Sequence, residues 1–151
     1  MTTPRHYLET KFAGRVFLMP NTLDLLIEPR ENMLVERKGR AAALRSVQGL
    51  VSPAYALDAD LQPLTESAWT RAVFLGTAAG RLIGLLVDDL RLVPTAELRI
   101  EPFTPLGGVP KTGYHLFDAA AMQASTLTLV FAPAGLTAYL QAMEGGNGLG
   151  K

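Results

Sequence analysis

The chain has 151 residues, 48% of them hydrophobic and 19% charged, enough for one folded domain or two small subdomains sharing a core, and too apolar for a disordered chain. Fourteen basic and fourteen acidic residues cancel, so no net field draws the protein toward nucleic acid or an anionic membrane. The absence of cysteine removes disulfides, thiolate metal sites and cysteine nucleophiles together.

The opening MTTPRHYLETKF contains no apolar run, so no signal peptide is expected. Nor does any aliphatic stretch approach the roughly 20 residues of a spanning helix; the expectation is a cytoplasmic protein without membrane insertion. Tyr7 to Phe12 alternates apolar and polar residues, Ala13-Gly14-Arg15 turns the chain, and Val16 to Met19 returns, a hairpin with glycine supplying the turn. Pro20 ends the second strand because it has no N–H to donate. Asn21 or Thr22 stands where it can cap a short helical turn carrying Leu23, Leu25, Leu26 and Ile27, halted before Pro29. Residues 31–47 are the least strand-like part of the first half, since alanines favour helix and Gly39 interrupts it.

Val47 to Leu61 returns to short strands punctuated by Gly49 and Pro53, and polar Asp58 to Glu66 reads as the crossover to the second half. Ala72 to Val93 reads as two apolar strands around a small-residue turn, with the acidic pair Asp88-Asp89 behind them. Thr104 to Pro110 is a loop by composition, Leu127 to Phe131 a last strand, and Leu136 to Met143 a closing helix with Gly145 past its end and a flexible 145–151 tail. Many short strands with frequent Gly and Pro breaks indicate closed or sandwiched β structure. An internal echo points to two similar units. Gly14-Arg15 opens an apolar run ending in Ile27-Glu28-Pro29, and Gly80-Arg81 opens one ending in Ile100-Glu101-Pro102, which predicts equivalent positions for Val16–Met19 and Leu82–Val87.

Few residues offer chemistry. On a strand, Asp88 and Asp89 point to opposite faces and do not share one ion. His6 and His115 are the only histidines, and His115 with Asp118 falls short of the three or four ligands a metal needs. Ser46 and Ser125 lack a glycine-flanked nucleophile motif. Gly107-Gly108 ahead of Lys111-Thr112-Gly113 has the wrong order for a phosphate loop, and Pro110 removes a donor. Arg37, Lys38, Arg40 and Arg45 make a basic cluster partly balanced by Glu31 and Glu36; it reads as a solvated face, or as a contact for an acidic partner helix.

The words Gly80-Arg81, Gly84-Leu85-Leu86-Val87-Asp88 and Ile100-Glu101-Pro102 resemble the second half of the CheW-like chemotaxis coupling family. Gly49, Val51, Pro53 and Leu57 are similar to that family's N-L-R-G-x-x-x-P-x-x-D-L pattern, and Leu127, Leu129, Phe131, Pro133, Gly135 and Leu136 to its closing strand. The likeness spans roughly residues 7–143. Its departures are polar: Gln48 stands where the family has arginine, Ser46 where it has asparagine, and Ala56 and Ala132 where it has aspartate.

The resemblance implies an all-β fold of two small SH3-like five-stranded barrels with a short C-terminal helix. The 1–144 domain would divide into subdomains at about 14–65 and 70–135, completed by the terminal segments. It further implies a non-enzymatic adaptor, with no cofactor, no metal and no small-molecule substrate, that couples a chemoreceptor cytoplasmic tip to a histidine kinase regulatory domain in motility signalling. Leu23, Leu26, Val47, Gln48, Gly49, Val87 and Asp88 are the expected contact residues. Two alternatives stand beside it: a barrel holding a small ligand between subdomains, and an enzyme, for which no cluster of titratable residues is visible.

Overall fold

Twelve strands and one long helix make up the computed structural model, which describes residues 4–22, 24–64, 66–77, 80–103, 115–123 and 125–149. β1 (His6–Phe12) and β2 (Arg15–Pro20) form the first hairpin; β3 (Leu25–Pro29) leads through a 3₁₀ turn at Arg30–Asn32 to β4 (Ala43–Val47) and β5 (Leu50–Leu57), with β6 (Pro63–Leu64) folding back on β5. β7 (Arg71–Gly76) and β8 (Leu82–Val87) form a second long hairpin. Then β9 (Asp89–Pro94) leads through a 3₁₀ turn at Thr95–Glu97 to β10 (Arg99–Pro102), β11 (Phe117–Gln123) and β12 (Thr126–Phe131), and α1 (Pro133–Leu149) follows. The fold is all-β: two small barrel-like sheets packed together, with a C-terminal helix.

The sheets are built by exchange. One runs β10-β11-β12-β2-β1-β9, the other β3-β7-β8-β5-β4. In each, a hairpin (β1–β2 or β7–β8) joins the last strands of the other half through a parallel contact, β12 beside β2 and β5 beside β8. β2 and β8 therefore occupy equivalent positions, as do β1 and β7, β9 and β3, β12 and β5, and β11 and β4. The Gly14-Arg15 and Gly80-Arg81 words sit at equivalent hairpin turns, both glycines at positive φ. The second half of the echo does not correspond: Pro29 ends β3 before a 3₁₀ turn, and its counterpart is Pro94, which ends β9 before the other, whereas Pro102 ends β10.

A division into 14–65 and 70–135 is thus not how the strands are shared. β2 lies in the sheet otherwise made by β9 to β12, because its parallel neighbour is β12, more than a hundred residues downstream.

Three further expectations change on the structure. Leu25–Pro29 is a strand and not a helical turn, because the free edge of β7 offers it five in-register partners, from Leu25↔Leu75 to Pro29↔Arg71. The alanine-rich stretch before Val47 is β4, where the small side chain of Ala43 opposes Ala54 on a crowded inner face; packing overrides helix propensity here. Starting at Pro133, a residue suited to the first helical position, α1 continues past Gly145 to Leu149. Glycine weakens a helix by about 1 kcal/mol without removing its backbone hydrogen bonds, so the tail expected from 145 is helical through 149. The loop expected at Thr104 to Pro110 lies outside the described residues.

Side-chain alternation distributes the apolar residues among three layers. Between the sheets, Leu8, Phe12, Phe17, Met19, Tyr55, Val73, Leu75, Ile83, Leu85, Val87 and Phe131 form the main core, covered by Leu136, Leu140 and Met143 of α1. Inside the first-half sheet lie Met33, Ala43, Ala54, Trp69, Ala72, Phe74 and Leu86; inside the other lie Tyr7, Leu18, Ala119, Ala121 and Val130. β8 is buried on both faces, which is why it reads as the unbroken apolar word LIGLLV. Gly135 lets α1 pass close to the chain before β11, since a Cβ there would overlap the His115 carbonyl oxygen.

Candidate protein-interaction surface

β4 and β5 pair from Ala43↔Ala54 to Val47↔Leu50, leaving a two-residue turn of Gln48 at φ +51° and Gly49 at φ +81°. Two consecutive positive φ values define the type I′ turn that matches strand twist. Gly49 adopts this conformation freely, and Gln48 does so at a cost of about 1 kcal/mol. The ladder puts Ala43/Ala54, Arg45/Ser52 and Val47/Leu50 on one face, and Leu44/Pro53 and Ser46/Val51 on the other.

Up the first face, the alanines lie inside the barrel. Arg45 then meets Glu28 at 2.7 Å, with side chains 20% and 16% exposed. Glu28 is on β3 and Arg45 on β4, the two edges of this sheet, so the ion pair draws the edges together and curls the sheet. Beyond it the hairpin projects: Val47 is 41%, Leu50 75% and Val51 42% exposed. Aliphatic side chains on a rigid, outward turn do not stabilise the fold, and their burial by a partner is favourable.

The expected contact residues separate on the structure. Val47, Gln48 and Gly49 meet at the hairpin tip. Leu26 is half-buried on β3 against the cluster around Phe74. Val87 is fully buried in the layer between the sheets; its side chain fills the core and offers no contact to a docking protein. Asp88 is tied down by its backbone, its N–H donating to the Lys11 carbonyl (2.7 Å) and its carbonyl accepting from Thr70 Oγ1 (2.8 Å). Leu23 lies outside the described residues. Sequence reasoning missed Leu50; the signal was a pair of adjacent aliphatics, Leu50-Val51, directly after a turn glycine, where alternation demands that one face outward.

Beside the hairpin, the 34–41 segment is held by reciprocal backbone hydrogen bonds between Leu34 and Leu44 (2.8 and 2.9 Å) and a tight turn closed between Lys38 and Ala41 (3.0 Å each way). Gly39 has φ +61° in that turn. The turn thrusts Arg37, Lys38 and Arg40 into solvent, and none of the three forms an ion pair among the described residues. A surface pocket of about 350 Å³ opens between this turn, the outer face of β4–β5 and the end of α1. Leu44, Val51 and Pro53 form its apolar wall and Lys38 one rim; the Arg81–Glu144 ion pair, 3.1 Å long and exposed, forms the other. Tyr55, 1% exposed, is the floor. Burial, with the nearby Glu144 carboxylate, pushes its phenol up to about 12 despite Arg81 and Arg40, so it is a hydrogen-bond donor throughout the physiological range.

Another groove, of about 400 Å³, runs between the start of α1 and the ends of β3 and β7, lined by Leu25, Leu75, Thr77, Thr137 and Gln141 among others. The barrel interiors are filled by Phe74, Trp69 and Leu86 in one sheet and by Tyr7, Leu18 and Val130 in the other. Among the described residues, no group of three or more His, Asp and Glu side chains could hold a metal ion, and no helix is long and apolar enough to cross a membrane.

The sequence matches no family model, and no curated protein sequence is recognisably similar to it. Among solved structures, the fold superposes on the scaffolding protein TtCheW from Thermoanaerobacter tengcongensis with a TM-score of 0.54 and 13% sequence identity, over 85% of this chain and 89% of that chain. The CheW-like architecture expected from the sequence words is therefore the architecture of this chain.

Proposed function

We propose that this protein is a cytoplasmic adaptor that couples a chemoreceptor tip to the regulatory domain of a sensor histidine kinase in motility signalling. The observation that carries the reading is the projecting β4–β5 tip, where Val47, Leu50 and Val51 are held outward on a rigid turn. The fold shared with a scaffolding protein and the sequence words near Gly49 and Gly84 support it. Residues 1–144 work as one domain, because neither half owns a complete sheet. The mechanism is binding alone: two partners held on one rigid body influence each other through their fixed geometry, and no bond is made or broken.

The test is complex formation by purified protein, receptor cytoplasmic fragment and kinase regulatory domain from the same genome, followed by size-exclusion chromatography and titration calorimetry. Leu50→Asp is the informative variant. Leu50 contributes little to the fold at 75% exposure, whereas burying a leucine side chain in an interface is worth about 1.5–3 kcal/mol, or at least tenfold in affinity. The expected result is a ternary complex that the variant weakens at least tenfold at unchanged melting temperature. No complex with either partner, or equal affinity for the variant, would refute the reading.

A further inference from the structure

We infer that the pocket beside the β4–β5 hairpin receives an acidic segment of a partner protein, with one aliphatic side chain against Leu44, Val51 and Pro53 and a neighbouring carboxylate between Lys38 and the Tyr55 hydroxyl. The inference rests on the reading of this chain as a docking protein, and not on which proteins dock.

Charge supplies the first argument. Lys38 and Arg81 line the pocket against Glu144, which already accepts from Arg81, and Arg40 stands on the same turn as Lys38. The excess is positive and concentrated on one tight turn whose backbone is pinned by hydrogen bonds at both ends. The pinned backbone needs no loop ordering when an anion arrives, so that part of the binding cost is avoided and only side-chain rotamers have to be fixed.

The floor supplies the second. Tyr55 is 1% exposed and lines the pocket, yet its hydroxyl makes no hydrogen bond among the described residues. Its side chain closes the bottom of the pocket, which puts the phenol within reach of an occupant. Oriented buried donors of this kind mark a place where an acceptor is recognised. A carboxylate meeting both the phenol and the Lys38 ammonium gains charge-assisted hydrogen bonds, stronger than neutral ones.

Shape supplies the third. A pocket of about 350 Å³ with one apolar wall has room for an aliphatic side chain and a flanking carboxylate. Its wall continues through Val51 into the exposed hairpin tip, so an extended segment leaving the pocket stays on apolar surface. A basic partner is disfavoured by Lys38, Arg37 and Arg40, and a purely polar one leaves the wall wet.

The experiment is an NMR titration of isotopically labelled full-length protein with the capped peptide Ac-Glu-Glu-Leu-Glu-Glu-amide. Controls are the same peptide with serine for leucine, one with lysine for every glutamate, and free glutamate. Saturable shifts of the Lys38, Gly39, Val51 and Tyr55 amides are expected with the first peptide, at least fivefold weaker with the serine and lysine peptides and with free glutamate. Lys38→Glu should weaken binding at least fivefold and Tyr55→Phe about threefold, with the rest of the spectrum intact.

Absent shifts at those amides, equal binding of the lysine peptide, or an unaffected Lys38→Glu variant would each overturn the inference. Equal binding of free glutamate would do the same by showing a small-molecule site, and so would concentration-dependent shifts of these amides without peptide, by showing self-association. Failure here with a ternary complex still formed removes the pocket and leaves the adaptor; peptide binding without that complex does the reverse.

Discussion

Gly84→Ala should destabilise the protein even though alanine is the smallest possible addition and the residue lies in a regular strand. Gly84 is on β8, directly paired with Phe74 of β7 and, on its other side, with Ala54 of β5. A Cβ at this position would stand 2.7 and 2.9 Å from two atoms of the Phe74 ring and 3.1 Å from the Ala54 Cβ. Phe74 is fully buried, so its ring moves only by displacing its neighbours. Overpacking of this kind costs about 1–3 kcal/mol, and alanine returns about 0.4–1 kcal/mol by narrowing the unfolded ensemble. The net loss is about 1–2 kcal/mol, or roughly 2–8 °C in melting temperature for a chain of this size. Urea unfolding followed by circular dichroism reads it as a lower midpoint at unchanged slope. The cause is specific to one ring, so Phe74→Leu should cost less in the Gly84→Ala background than alone, with a coupling of about 1 kcal/mol or more. An unchanged midpoint for Gly84→Ala, or strict additivity in the cycle, would refute the argument.

Two other outcomes follow from the surface and from Tyr55. Gln48→Arg places five donors and a permanent charge at the exposed turn where glutamine offers two donors and none; affinity for the kinase regulatory domain should rise up to about tenfold and become more salt-dependent, and equal titrations for both proteins would place the turn outside the contact. The Tyr55 phenol titrates at about 12 in the folded protein against an ordinary 10.0, so the folded state holds that proton more tightly than the unfolded chain. Stability from this source is complete below pH 10 and falls as pH rises toward 12; urea midpoints across that window should drop, and drop less in Tyr55→Phe, with an identical pH profile in the variant excluding Tyr55 as the cause.

Local signals in the sequence were strong where a structural element answers mainly to its own neighbours. The β1–β2 turn was legible because Ala13-Gly14 must reverse an alternating pair of strands, and β8 because a strand buried on both faces has no polar residue to interrupt it. β3 and β4 were not legible, since Leu25–Pro29 becomes a strand only when β7 presents an edge and Ala43 is suited to a strand only where Ala54 and Phe74 leave room for a methyl group. The site divided in the same way. Gly49 announced its turn through backbone chemistry. Val87 and Val47 look alike in sequence, an aliphatic residue at a strand end, and only the second sheet decides that one is core and the other tip. The pocket combines Lys38, Tyr55, Arg81 and Glu144, which the sequence places far apart and which only the packing of the 34–41 turn, β8 and α1 around β5 brings together.

The exchange of hairpins between halves also sets how the protein must fold. Neither the segment ending near β6 nor the one beginning at β7 contains a closed set of strands: β1, β2, β3 and β5 of the first each need a neighbour from the second, namely β9, β12, β7 and β8. Each would present four strand edges stripped of their partners and half of the central apolar layer to water, so a chain emerging from the ribosome has no stable resting point until β12 arrives. Closing β1 on β9 and β2 on β12 spans most of the molecule and carries the loop-entropy cost of doing so. Loss of structure should accordingly be a single cooperative event. Two fragments cut between β6 and β7 would be unfolded apart and native when mixed, locked around one another in the manner of a swapped dimer whose subunits happen to differ.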